Sequence, residues 1–283
     1  MYFADRMPLT INLGGELIDF DTPWVMGILN ATDDSFYAHS RCVDDEAIAA
    51  RVSQMVAEGA DVIDVGACST RPGSAPVTAE QEELRLCRAL EVIRDRYPAV
   101  RLSIDTYRAS VVRAATKRFG AMIINDISAG SMDDALFEAV AEAQMPYILS
   151  HIKGTPATMA SHAHYDDLMG EVVLFLSERL ARLRQMGVCD VMIDPGFGFA
   201  KTLDHNYELL AHLDELALME APIVVGVSRK RMIYQPLGIT PEESLNGTTV
   251  LHTIALIKGA SILRVHDVRA ARECVALALR TLA

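Results

Sequence analysis

Eight short apolar runs, separated by longer amphipathic segments, constrain this chain more than any other feature. The runs are WVMGIL (24–29), DVIDVG (61–66), RLSID (101–105), AMIIND (121–126), PYILSH (146–151), DVMIDPG (190–196), PIVVGV (222–227) and SILRVH (261–266). They are rich in β-branched residues and almost continuously hydrophobic, the pattern of parallel strands covered on both faces. Between them, segments 45–60, 79–97, 109–120, 133–144 and 165–187 carry a helical period, and 79–97 has acidic residues in its first turns. Strand–helix alternation on this scale in 283 residues predicts an α/β fold, a (β/α)8 or TIM barrel. An open doubly wound sheet fits less well, because no GxGxxG follows the first run. Ahead of the first run, TINLGGELIDF (10–20) reads as a short N-terminal β-hairpin turning at Gly14-Gly15. No Pro/Ser-rich linker or low-complexity stretch interrupts residues 1–283, so one domain is expected.

Composition narrows the function classes. Half of the residues are hydrophobic (51%), enough for a large core, yet every apolar run is too short to span a bilayer. The net charge of −12 argues against non-specific nucleic-acid binding and against an anionic membrane surface. An anionic substrate would therefore need locally concentrated basic groups. MYFADRMPLT lacks the basic-then-apolar pattern of a secretory signal, so a cytoplasmic location is expected. The five cysteines are scattered without metal-like spacing and read as reduced thiols, with Cys68 set beside a motif.

In a barrel of this kind the active site lies at the C-terminal strand ends. Those ends are Asn30, ACSTRPGS (67–74), Asp105, Asn125-Asp126, His151, Asp194, SRK (228–230) and the Arg264–His266 pair. Eight polar ends of mixed charge are better explained by one shared pocket than by eight separate helix caps. Asp105, Asn125 and Asp194 end apolar strands and suit a flat, nitrogen-rich heterocycle; capping of the following helix is the competing reading for either aspartate. Arg264 and His266 lie two residues apart, so both face the same side, as an anion clamp or as a structural salt-bridge cluster. Lys230 is open to three readings: a solvated cation, a Schiff-base lysine or a binding lysine.

MGILNATDDSF (26–36), GADVIDVGACSTRPGS (59–74), SIDT (103–106), INDIS (124–128), HIKGTP (151–156), DPGFGFAKTLDHNYELL (194–210), VGVSRK (225–230) and GASILRVHDV (259–268) together resemble the dihydropteroate synthase family. The resemblance covers essentially the whole chain, in that family's order. It implies a pterin-binding TIM barrel and a transferase of folate biosynthesis. The expected reaction joins 4-aminobenzoate to a dihydropterin-methyl diphosphate, releasing diphosphate. The resemblance implies that Asp105, Asn125, Asp194 and Lys230 hold the pterin, and that Asn30 helps to bind Mg²⁺. It assigns Thr70, Arg264 and His266 to the diphosphate, and Phe36, Arg71, Pro72, Phe199 and Ser228 to the aminobenzoate pocket. Asp34, Asp105 and Lys230 are the catalytic residues it suggests, with mobile loops after the first two strands and a homodimer built on the helices from 247 onward.

Three positions depart from the family pattern. TPDSFSDGG is replaced by TDDSFYAHSR, with Asp33 in place of proline and no glycines through Tyr37 to Arg41. GGESTRPG is replaced by GACSTRPG, which puts Ala67 and Cys68 where Gly and Glu are usual. Arg231 follows SRK where many members have Ser, and would add a cation near the aminobenzoate carboxylate. The competing functions are a pterin-binding paralogue without synthase activity, a folate-dependent methyltransferase barrel and, from another class, a Schiff-base aldolase using Lys230.

Overall fold

The computed structural model describes residues 9–31, 44–68 and 77–282. Its eight parallel strands are β3 (Trp24–Asn30), β4 (Val62–Gly66), β5 (Arg101–Asp105), β6 (Ile123–Asp126), β7 (Tyr147–Ser150), β8 (Val191–Asp194), β9 (Val224–Val225) and β10 (Ile262–Val265). Their order around the sheet is β8-β7-β6-β5-β4-β3-β10-β9. A parallel bridge between Ile193 and Ile223, with Ile193 N–H donating to the Pro222 carbonyl at 2.9 Å, joins the two ends and closes a TIM barrel. The run 222–227 forms only a two-residue strand, since Pro222 brings no N–H to the ladder.

The strands are wrapped by α1 (Asp45–Ala57), α2 (Ala79–Arg96), α3 (Ala109–Phe119), α4 (Leu136–Ala143), α5 (Leu168–Gln185), α6 (Leu203–Ala211), α7 (Arg231–Leu237), α8 (Leu245–Ile257) and α9 (Val268–Leu282). Their starts follow local chemistry. Thr78 and Gln81 form a reciprocal capping box at α2, and Asp44 and Asp167 cap α1 and α5. The α4 helix begins three residues later than its periodicity predicts, because Asp133 is engaged elsewhere. Its carboxylate accepts from the Ala109 N–H, capping α3, and from Ala135. No helix among the described residues is long and apolar enough to cross a membrane.

The expected hairpin is β1 (Thr10–Leu13) with β2 (Glu16–Asp19). Gly14 and Gly15 both have positive φ (63° and 93°), as a two-residue hairpin turn requires, and a Cβ on Gly14 would sit 2.6 Å from that of Ala121. The hairpin is a plug. Its Ile11, Leu13, Ile18 and Phe20 pack with Trp24, Met26, Val62, Ile123, Ile148, Met192, Val224 and Ile262, filling the N-terminal end of the barrel. A larger apolar shell between strands and helices forms the rest of the core.

Candidate active site

The site follows from the two-residue alternation of a strand. Two residues beyond the apolar plug layer, the same inward face carries Ile28, Asp64, Ser103, Asn125, Ser150, Asp194, Gly226 and Arg264. Two residues further on come Asn30, Gly66, Asp105, Ile127, Ile152, Gly196, Ser228 and His266. Hydrophobic filling thus ends one layer below the mouth, and a polar layer is laid directly on it.

Asp64 is the hub of that layer and lies outside the residues expected from the sequence. It is fully buried, at 0% exposure. Its Oδ1 accepts from Ser103 Oγ at 2.6 Å, and its Oδ2 accepts from Asn125 Nδ2 at 3.0 Å and from Arg264 Nε at 2.7 Å. Arg264 Nη2 donates to Asp105 Oδ2 at 2.7 Å. One guanidinium therefore bridges two carboxylates, and Arg264 belongs with the heterocycle group as much as with the anion group to which its spacing assigned it. Its Nη1 has no hydrogen bond among the described residues. A signal for Asp64 was present: a charge at the third-from-last position of an otherwise apolar strand must face inward to partners.

The competing reading, in which Asp105 or Asp194 caps the following helix, does not hold. The first N–H of α3 is capped by Asp133, not Asp105. Asp194 Oδ1 accepts from Gly196 N–H at 2.7 Å, within its own turn, while α6 is capped by Thr202. Adjacent register pairs set Asn30 beside Gly66, Gly66 beside Asp105 and Asp105 beside Asn125. A Cβ on Gly66 would stand 3.6 Å from Asn30 Oδ1 and 3.8 Å from Asp105 Oδ2, which places both oxygens over one small residue.

Lys230 reaches in from the N-terminus of α7. Its Nζ donates to the Phe197 carbonyl at 2.5 Å and lies 4.9 Å from the centre of the Phe199 ring. Arg229, by contrast, turns away with φ of 54° and locks its guanidinium onto both oxygens of Asp267 and onto the carbonyls of Pro241 and Glu242. Both readings of RVHD therefore hold: Arg264 faces the mouth and Asp267 anchors the SRK loop. Ser228 Oγ accepts from the His266 N–H at 3.2 Å and lies 3.1 Å from His266 Nδ1. Arg231 is exposed and turned along its helix to Gln235. It does not enter the mouth, because the residue after Lys230 already lies on the outer side of the first helical turn.

Burial tunes the charges. It pushes the Asp105 carboxyl up to about 7, against the pull of Arg264 and with the negative charge of Asp64 adding to the rise. Asp194 is raised by burial too, opposed by Lys230. Burial brings Lys230 down to about 8, with Asp194 resisting, and brings His266 down to about 3, helped by Arg264. Against burial, Asp64 and Asp105 hold Arg264 above the usual arginine value. At neutral pH the mouth thus presents a fixed guanidinium, a neutral imidazole and a carboxyl near its titration point. Such a set donates and accepts hydrogen bonds around a flat heterocycle. Cys68 is half-buried, and burial pushes its thiol up, so it is a protonated bystander rather than a nucleophile.

Asp34, Phe36, Thr70, Arg71 and Pro72, with Asp33 and Tyr37 to Arg41, lie outside the described residues. Among the described residues no cluster of three His, Cys, Asp or Glu side chains could hold a metal.

The model of the family "Pterin binding enzyme" matches residues 26–266. The dihydropteroate synthase of Escherichia coli K12 is 42% identical over 273 residues, 95% of this chain and 95% of its own length. The crystal structure of Yersinia pestis dihydropteroate synthase in a sulfonamide drug complex is similar at a TM-score of 0.89 and 38% identity, over 97% of this chain and 98% of that one. That of Xanthomonas albilineans dihydropteroate synthase with 4-aminobenzoic acid gives 0.88 and 36%, over 98% and 99%.

Proposed function

The chain belongs to the pterin-binding enzyme family and within it to the dihydropteroate synthases, and on that premise we propose how the barrel mouth works. It is a transferase that condenses 4-aminobenzoate with (7,8-dihydropterin-6-yl)methyl diphosphate, giving 7,8-dihydropteroate and diphosphate. The observation that carries the reading is the bridge Asp64–Arg264–Asp105 with Asn125, laid on an apolar floor. A pterin is flat and bears several N–H donors and ring acceptors. Asp105, Asn125 and Asp194 receive and return those hydrogen bonds, and Lys230 donates at the opposite edge.

In the reaction the bond from the pterin methylene carbon to the diphosphate oxygen breaks, and the electron pair leaves with diphosphate. The cation left on that carbon spreads into the ring, steadied by the carboxylates of Asp105 and Asp194. The arylamine nitrogen then forms the new C–N bond, and the proton it gives up passes to solvent water or to the released diphosphate. Arg264, through its Nη1, and His266 with Thr70 receive the diphosphate. Phe36, Arg71, Pro72, Phe199 and Ser228 frame the aminobenzoate, and Asp34 joins Asp105 and Lys230 as catalytic residues. No covalent intermediate with the enzyme is needed, so Lys230 forms no Schiff base.

Mg²⁺ fits this site in one way. The mouth offers the amide oxygen of Asn30 and a neighbouring carboxylate, not an all-protein cage, and Mg²⁺ characteristically takes one or two protein oxygens with phosphate and water. Bound there, it would neutralise charge on the leaving diphosphate.

We further read residues 1–283 as one domain and the enzyme as a homodimer. Val250, Ile254 and Ile257 are exposed along one face of α8, which also carries exposed Leu245, and the adjacent α9 carries exposed Leu277; a second copy would cover this stripe.

The test is turnover with each substrate alone and both together, with and without Mg²⁺, alongside calorimetric titration. Mg²⁺-dependent diphosphate release is expected only with both substrates. Tight pterin binding with no dihydropteroate formed would identify a non-synthase paralogue instead.

A further inference from the structure

The lysine of the DPGFGFAK stretch is not used by the reaction above, yet it occupies the centre of the loop on which that reaction depends. Lys201 is largely buried behind residues 194–199 and has three partners for the three hydrogens of an ammonium. Its Nζ lies 2.9 Å from His151 Nδ1, 3.0 Å from the Gly196 carbonyl oxygen and 3.2 Å from that of Phe199. Among the described residues no carboxylate comes within salt-bridge distance of it. His151 lies at the end of β7, packed edge-on against Phe175 of α5 at 4.8 Å, and its backbone N–H donates to the Asp194 carbonyl at 2.9 Å. Lys201 therefore stitches the β8 loop to the neighbouring strand from behind.

The contact is closely fitted. A side chain on Gly196 would collide with the His151 carbonyl oxygen, so the two strand ends touch where Lys201 joins them. On the other side of the same loop, Asp194 faces the mouth, Phe197 seats Lys230 through its carbonyl, and the Phe199 ring lies beside the Lys230 ammonium. One buried lysine thus sets a carboxylate, an aromatic ring and the seat of a second lysine. Its charge also opposes the rise that burial imposes on Asp194.

We infer that Lys201, with His151 as its acceptor, is a positioning residue that shapes the pterin half of the site and leaves the diphosphate half alone. The inference rests on reading the mouth as a pterin site. Burial brings the Lys201 ammonium down to about 7, with Asp194 resisting; in its charged form it can only donate, and so it fixes His151 with its proton on Nε2. Burial keeps that ring neutral, down to about 2.

The experiment is calorimetric titration of wild type and Lys201→Met with two probes, 6-hydroxymethyl-7,8-dihydropterin and its diphosphate ester. Lys201→Met is expected to weaken both by the same factor, about tenfold, as for loss of a hydrogen-bond network at the heterocycle. The gain in affinity that the diphosphate contributes should not change. His151→Leu should weaken both probes in the same sense, and His151→Gln, whose amide oxygen can accept from Lys201, should recover most of the loss. This pair decides the matter if Lys201→Met does not fold. Wild-type affinity of Lys201→Met for the pterin alcohol, or equal affinities in the two His151 variants, would overturn the role of Lys201. A wild-type chain that binds neither probe would remove the pterin reading and this inference together.

Discussion

At the scale of single residues, the mouth is governed by a few charges whose worth depends on what they face. Arg264 is worth most. Among the described residues it is the only cation paired with Asp64, which is fully buried, so removing it leaves an uncompensated carboxylate in the barrel. Arg264→Met should lower unfolding free energy by roughly 3–5 kcal/mol in urea denaturation. Adding Asp64→Asn to that variant should recover much of the loss, because the orphaned charge is then gone. A double variant no more stable than the single one would show that the pair is not the source. Lys230 carries the alkaline limb of the pH dependence. Its pKa is lowered to about 8, so its charge is present below that pH and lost as pH rises through it. Affinity for the pterin diphosphate should therefore fall above pH 8 in calorimetric titration, approaching tenfold per pH unit. Lys230→Met should bind weakly at every pH and lack that fall.

At the scale of elements, the hairpin and the helix starts show how local chemistry serves the site. Phe20 packs among the plug residues and lies 5.5 Å from the Trp24 ring. Phe20→Ala should cost about 3–5 kcal/mol by opening a cavity under the polar layer, with a matching drop in melting temperature by calorimetry. The hairpin was legible from its Gly-Gly turn, but its use as a plug was not, since no local pattern says what a short hairpin covers. The acidic first turn of α2 is a similar case. Glu82 reads as a partner for the helix dipole, yet it is fully buried, accepting from Thr106 Oγ1 at 2.5 Å and paired with Arg108. It therefore ties the start of α2 to the residue after Asp105, a long-range contact that helical periodicity does not contain. The two-residue β9 is shorter than its apolar run for the opposite reason, because strand length depends on pairing as well as propensity.

At the scale of the whole molecule, closure and association are what remain. The exposed stripe Val250, Ile254 and Ile257 should bring two copies together in sedimentation velocity, and Ile254→Asp should shift the protein to monomer with its barrel intact by circular dichroism. A wild-type chain that sediments as a monomer at micromolar concentration would remove the dimer. The sequence by itself pointed to the barrel, because eight apolar runs alternating with amphipathic segments need cover on both faces, and the missing GxGxxG disfavours an open doubly wound sheet. It also determined most of the polar strand ends, since a charge closing an apolar strand must meet partners. Only the tertiary structure decided which charge meets which. Arg264 finds Asp64 across 200 positions and Asp105 across 159, and Lys201 reaches back to His151 across 50. Alternation tells which face a residue occupies, but strand order and stagger around a closed barrel decide which faces look at each other.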